Sequence, residues 1–160
     1  MDLLLLTDQE AAAYQQQLVP IYRDAFRMPP NRKEEAEVLD FVQSFPRHVH
    51  EEGFRMVVAL QELTERVVGF AYGYANASDQ FWYEQVAKAL QPRMVTEWLV
   101  GSFRLVEMAV APEVQGQGVG GLLHDRLLRG VPYRRAVLST MAAETNAYWL
   151  YRKRGWRVLV

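Results

Sequence analysis

The sequence predicts an α/β fold in which helices flank a mixed central sheet. Three observations carry this expectation. Short apolar runs of strand length alternate with segments of helical periodicity along the 160 residues;. The first apolar run passes into Thr7-Asp8-Gln9-Glu10, which has the form of a helix-opening capping box;. The apolar run from Phe103 to Val110 passes through four closely spaced glycines into an apolar helix, the order strand, tight turn, helix.

Each element can be justified in turn. Residues 3–6, all leucine, read as a short buried strand. The Thr7 hydroxyl and the Glu10 carboxylate can then satisfy amides at a helix start. That helix carries Tyr14, Leu18, Ile21, Tyr22 and Ala25 on one face, and Pro20 inside it predicts a kink or break;. Met28-Pro29-Pro30-Asn31 reads as a loop, and a second helix follows with Val38, Phe41, Val42 and Phe45 at helical spacing. Residues 54–60 and 67–74 read as strands joined by a polar hairpin connection over 61–66. Ser78 or Asp79 is placed to cap a helix with Trp82, Val86, Ala89 and Leu90 on its face, ended by Pro92. Residues 93–102 fit neither period. After the glycines, a helix turns Val119, Leu122, Leu123 and Leu127 inward and stops at Gly130 and Pro132;. Residues 135–140 read as a strand, 145–154 as a short helix ended by Gly155, and 156–160 as a last strand. No repeat or linker interrupts this order, so a single domain over 1–160 is expected.

Composition narrows the function classes. Half of the residues are hydrophobic and 12% are aromatic, which favours a packed core over disorder;. The formal net charge of -1 gives no reason to expect nucleic acid as a partner;. The chain has no cysteine, which excludes disulfides, thiolate metal sites and a cysteine nucleophile;. The leucine run lacks the length and the preceding basic residue of a signal peptide, and no stretch has the length and apolarity of a membrane span. A cytoplasmic protein without a membrane partner is expected.

The glycines carry the strongest chemical signal. Gly116, Gly118, Gly120 and Gly121 clear the approach to the start of a helix, where free amides and the helix dipole favour a phosphate;. Gln115 and Gln117 add donors without charge. The same residues satisfy the G-x-G-x-x-G dinucleotide fingerprint, but the acidic residue expected about 20 positions on is replaced by Ser139 and Thr140. A P-loop is excluded because no Gly-Lys-Ser/Thr follows.

Two segments together resemble the GCN5-related N-acetyltransferase (GNAT) superfamily. Its acyl-CoA-binding motif, Q/R-x-x-G-x-G/A after a strand ending in V-x-P, is similar to Val110-Ala111-Pro112 followed by Gln115-Gly116-Gln117-Gly118-Val119-Gly120. The segment "AYWLYRKRGW", Ala147 through Trp156, resembles the family's A-x-x-L-Y-x-x-x-G-F helix and turn. "VVGFAYGY" is similar to its central strand, and the order of elements agrees over nearly the whole chain. The resemblance implies a three-layer fold, acetyl-CoA as co-substrate, no metal, and an amine acceptor, either a small molecule or a peptide.

It also implies roles for particular residues. The CoA pyrophosphate would sit on the amides of Gln115, Gly116, Gln117, Gly118, Val119, Gly120 and Gly121. The preceding strand would bulge and free edge amides near Met108, Ala109 and Val110 for the pantetheine arm and the thioester carbonyl. Tyr151 matches the family's general-acid tyrosine, the alternative being a helix residue packed under Gly155. Glu107, the lone carboxylate of its strand, is the candidate base, the alternative being an ion pair or an orientation away from the cleft. Strict alternation would put Leu105, Glu107 and Ala109 on one face, opposite Val106, Met108 and Val110. The family often has Asn seven residues before the tyrosine, where this chain has Glu144, with Asn146 shifted closer as a candidate cofactor contact. The family's seventh strand has no counterpart, so the last strand is expected to be missing or replaced, and the resulting open edge invites a homodimer.

The acceptor pocket is expected from Phe26 and the loop through Pro30, from Trp82 and Tyr83, and from Tyr72 and Tyr74 as its floor. For Trp82 the alternative is the inward face of an amphipathic helix. His48 and His50 read as a solvated pair, His124 as a surface residue, and Arg152-Lys153-Arg154 as a solvated helix end. Three readings compete with an N-acetyltransferase: an acyl-CoA-binding protein without turnover, a dinucleotide-binding oxidoreductase module, and a dimeric interaction module.

Overall fold

The computed structural model describes residues 1–27 and 31–160. Five strands form one mixed sheet in the order β1 (Asp2–Leu6), β2 (Arg55–Leu60), β3 (Val67–Ala75), β4 (Phe103–Val110), β5 (Ala136–Val137). The first four are antiparallel neighbours, and β5 joins β4 in parallel. Helices α1 (Asp8–Ala13), α2 (Gln15–Arg27) and α3 (Glu35–His48) follow β1, and α4 (Phe81–Ala89) follows β3. A short helix α5 (Pro92–Met94) runs into a π-helical turn at Val95–Leu99, the region that fitted neither period. Helix α6 (Val119–Leu128) follows the glycines, and α7 (Asn146–Lys153) closes the order.

The central strands β2 and β3 are buried on both faces, which makes three layers. Met56, Val58, Phe70 and Tyr72 face α2 and α3, meeting Leu18, Ile21, Tyr22, Phe41 and Phe45. Val57, Ala59, Val68 and Ala71 point the other way, onto Val119, Leu123, Leu127 and Tyr151. Rings lock the first layer: Tyr22 and Phe41 stack at 4.4 Å with planes 3° apart.

The capping box forms as expected, with the Glu10 amide on the Thr7 hydroxyl and the Thr7 amide on the Glu10 carboxylate. The hairpin over 61–66 also forms, closed by the Gln61 amide on the Arg66 carbonyl. Four local expectations are corrected. The helix break falls at Tyr14, and α2 continues through Pro20. Pro20 and Gln16 both face solvent, so the carbonyl that loses its helical donor can turn to water;. Gln80, not Ser78 or Asp79, occupies the N-cap of α4 and makes no side-chain cap bond. Strand β5 has two residues instead of six. Residues 156–160 form no strand. Gly155 turns the chain at φ +87°, and the Trp156 indole is tied back to His124 at 2.9 Å.

The cap makes a direct prediction. Thr7→Ala removes one half of the box and should cost about 1 kcal/mol, lowering Tm by about 2–4 °C in a chain of this size. Calorimetry or thermal circular dichroism checks it.

Candidate active site

The site is built around a β-bulge in β4. Tyr72 pairs with Glu107 and Gly73 with Leu105, so Val106 is an extra residue between them. Gly73 makes room for it: a Cβ there would collide with the Arg104 carbonyl and the Phe103 ring. The bulge overturns strict alternation. Leu105 packs on the α6 side, whereas Val106 and Ala109 pack on the α2–α3 side. Glu107 shares the α2–α3 face with its cross-strand partner Tyr72.

The bulge also exchanges the edges to which amides point. The Phe103 amide donates toward β5, onto Arg135. Beyond the bulge the Ala111 amide donates toward β3, onto Val68, so by alternation Met108 and Val110 present theirs to the opposite edge. That edge is open, because β5 pairs only with Phe103 and Arg104. The two parallel strands therefore part after Arg104. Ala109, the third residue of the expected set, points its amide toward β3.

The glycine turn lies at the end of this opening. Gly116 and Gly118 have φ of +80° and +84°, and a Cβ on either would meet nothing within 4 Å. Gly118 caps α6 in the left-handed conformation, and the first helical bond runs from the Leu122 amide to its carbonyl. The amides of Val119, Gly120 and Gly121 precede that bond and are free of helical partners. Gly120 and Gly121 serve a different purpose: α7 packs close, with Leu150 3.2 Å from a Cβ at Gly120. The Gln115 side chain is committed, donating to the Val110 carbonyl at 2.9 Å, while Gln117 is exposed. A glycine cradle open above its backbone beside free edge amides fits a pyrophosphate with an extended arm.

Tyr151 is buried between His124 and Trp156, at ring separations of 6.1 and 5.8 Å. Burial pushes its phenol up to about 12, and the Glu107 charge adds to the shift. His124 is buried, not at the surface. Its Nε2 accepts from the Trp156 indole at 2.9 Å, so its Nδ1 carries the proton and donates to Asp125 at 2.8 Å;. Arg154 completes the chain with 2.7 and 3.2 Å bonds to Asp125. Part of the expected solvated basic run is thus a tie between α6 and α7. Asn146 is the exposed first residue of α7, whose cap is Thr145, donated to by the Tyr148 amide at 3.0 Å.

On the other face, burial raises Glu107 to about 7, against the opposing pull of the Lys33 and Arg104 charges. Tyr72 is fully buried, and its hydroxyl meets His48 Nδ1 at 2.9 Å. It supports the site from beneath and has no open surface. Burial, with the Arg104 and Arg47 charges, depresses His48 to about 4. His48 is therefore not the solvated residue expected, whereas His50 is exposed. Tyr83 is buried against Leu99 and Val137. Trp82 is partly exposed, donates to Ser139 at 3.0 Å and lies under Arg104. Phe26 is half-buried beneath the Lys33 ammonium at 4.4 Å. The Met28-Pro29-Pro30 part of the expected acceptor loop lies outside the described residues. Among the described residues no His, Asp and Glu cluster is arranged to hold a metal ion, and no helix is long and apolar enough to cross a membrane.

Comparison with known proteins then decides the family. A model described as an acetyltransferase (GNAT) domain matches residues 52–158, from β2 through α7. The chain belongs to the GNAT acetyltransferase family. The GCN5-like protein acetyltransferase Rv2170 of Mycobacterium tuberculosis is 38% identical over 102 residues, 59% of this chain and 50% of the relative. The chain thus spans about half the length of that curated relative. Solved acetyltransferases share the fold over nearly all of the chain. A PaiA N-acetyltransferase from Thermoplasma acidophilum, solved with coenzyme A, superposes with a TM-score of 0.65 at 11% identity, covering 99% of this chain and 92% of that one. An aminoglycoside acetyltransferase from a soil metagenomic sample gives 0.64 at 20% identity, over 99% and 93%.

Two predictions follow from the site's geometry. Gly118→Ala places a Cβ on a left-handed residue and should cost about 1–2 kcal/mol, seen as a lower denaturant midpoint. Glu107 binds its proton more tightly folded than unfolded, so it favours the fold at low pH, and that contribution is lost as pH rises through about 7;. Glu107→Gln should therefore raise Tm by on the order of a few degrees at pH 8, with the gain vanishing near pH 4. A Tm difference independent of pH would contradict this.

Proposed function

We propose that this GNAT domain transfers the acetyl group of acetyl-CoA to an amine by direct attack on the thioester. One observation carries the reading: β4 and β5 part after Arg104, and the amides of Met108 and Val110 face that gap beside the free amide end of α6. Gly116 through Gly121 would hold the pyrophosphate on backbone amides. Met108 and Val110 would bind the pantetheine arm and polarise the carbonyl, a donor pair fixed before the reaction.

The chemistry needs an acceptor for the protons of the amine and a donor for the departing thiolate. The acceptor amine loses a proton to Glu107, whose raised pKa suits a base working near neutrality;. Its nitrogen then bonds to the acetyl carbon as the carbon–sulfur bond breaks. The departing thiolate takes a proton from the Tyr151 phenol, the phenolate takes back the second proton that the acetylated nitrogen sheds, and Glu107 gives up the first to water. The net result is an amide, a free thiol and one proton released. Phe26 and Trp82 supply aromatic walls for the acceptor, Tyr72 braces the sheet beneath it, and Tyr83 holds α4 against β5. Asn146, exposed at the start of α7, is available to the cofactor. PaiA N-acetyltransferase, solved with coenzyme A, supports the choice of co-substrate.

The test is thiol release from acetyl-CoA across a panel of amines, together with the thermal shift given by CoA and by NADH. CoA should raise Tm and NADH should not. Tyr151→Phe should lower kcat by about 100-fold or more while CoA affinity stays within two-fold or so. In the wild type, kcat/KM should rise with pH through about 7, and Glu107→Gln should remove that limb. Unchanged turnover in Tyr151→Phe would remove the acid from the scheme. A shift with NADH alone would overturn the reading.

A further inference from the structure

Arg104 stands opposite Tyr74 on β4, on the Glu107 side of the sheet. Its guanidinium lies 4.3 Å from the centre of the Trp82 ring, which Ser139 holds by its indole nitrogen. The side chain is half-buried, yet it makes no salt bridge and no hydrogen bond among the described residues. Its Nε is fully buried and unpartnered. The remaining residues, Met28, Pro29 and Pro30, carry no carboxylate that could complete it. A buried guanidinium nitrogen with no hydrogen-bond partner costs stability unless something satisfies it, and the planar fork of arginine matches a carboxylate.

Glu107 lies on the same face. Their cross-strand partners, Tyr72 and Tyr74, are two positions apart on β3, which separates Arg104 and Glu107 by about 7 Å along the sheet. The candidate base and the unpaired cation therefore border one short stretch of surface. Lys33 adds a second cation nearby, bonded to the Tyr22 hydroxyl at 2.9 Å and resting on Phe26 rather than on an acid.

We infer that the acceptor is a zwitterion, an amine bearing a carboxylate a few bonds away, as in an amino acid, with its carboxylate on Arg104 and its amine toward Glu107. This rests on the acetyltransferase reading above. It excludes a polycationic acceptor at this surface, which would bring further positive charge beside Arg104 and Lys33.

Binding of the acetylated product tests this without requiring turnover. CoA is titrated first by calorimetry. The CoA-saturated protein is then titrated with N-acetyl-phenylalanine, N-acetyl-leucine and N-acetyl-glutamine, each against the matching carboxamide, which has the same shape without the charge. At least one carboxylate should bind about 10- to 100-fold tighter than its amide, the worth of a charged hydrogen-bonded pair. Arg104→Met should bring that ratio to about one without changing CoA affinity, and Arg104→Lys should fall between. A merely structural arginine would not move the ratio. Equal binding of every pair, no binding by any, tighter binding of the amides, or a preference that survives in Arg104→Met would overturn the inference. Should Arg104→Met fail to fold, the wild-type pairs decide alone. Failure of CoA itself to bind would instead count against the acetyltransferase reading.

Discussion

One extra residue, Val106, organises the candidate site. With it, β4 presents two different strands to its surroundings. Before the bulge, Phe103 bonds outward to the segment leading into β5 and Leu105 packs toward α6. After it, Ala111 bonds inward to β3, and Ala109 packs toward α2 and α3. The same slip turns Glu107 onto the Tyr72 face and leaves the Met108 and Val110 amides on the edge that β5 abandons. Gly73 permits all of this by having no side chain where the bulged backbone passes. A Cβ there would collide with the Arg104 carbonyl and the Phe103 ring.

The opening then needs a fixed far wall, which α6 and α7 provide together. Gly120 and Gly121 let the helices approach, and the chain Arg154–Asp125–His124–Trp156 ties them. Tyr151 sits inside that clasp, so its phenol is held by packing and hydrogen bonds that belong to other residues. Protonating His124 would take the acceptor away from the Trp156 indole, and burial opposes that protonation. Burial holds its pKa below the ordinary imidazole value, against the opposing pull of Asp125.

What the sequence made legible was local. The capping box, the 61–66 hairpin and the glycine turn each depend on residues within a few positions of one another, and each forms as read. The paired motifs around Gly116 and Tyr151 pointed to the family that the domain match establishes. What was hidden depended on distant partners. No pattern inside β4 marks Val106 as the slipped residue, because the space for it is made by Gly73 on another strand. Pro20 is tolerated since its lost acceptor faces water, which a linear pattern does not reveal. His124 is buried by Trp156, 32 positions away, and Arg104 owes its prominence to the acid it lacks. The aromatic residues divided in the same way: Trp82 stays partly open, whereas Tyr72 and Tyr83 are consumed by packing.

In the proposed binding mode, two sets of backbone amides, Met108 with Val110 and Gly116 through Gly121, form one surface for CoA. Residue-resolved NMR of the amides during a CoA titration tests it most directly. Both sets should shift together along one saturation curve and gain protection from hydrogen exchange, while amides of β1 and β2 stay still. Shifts confined to the glycine turn, with Met108 and Val110 unmoved at saturation, would contradict it.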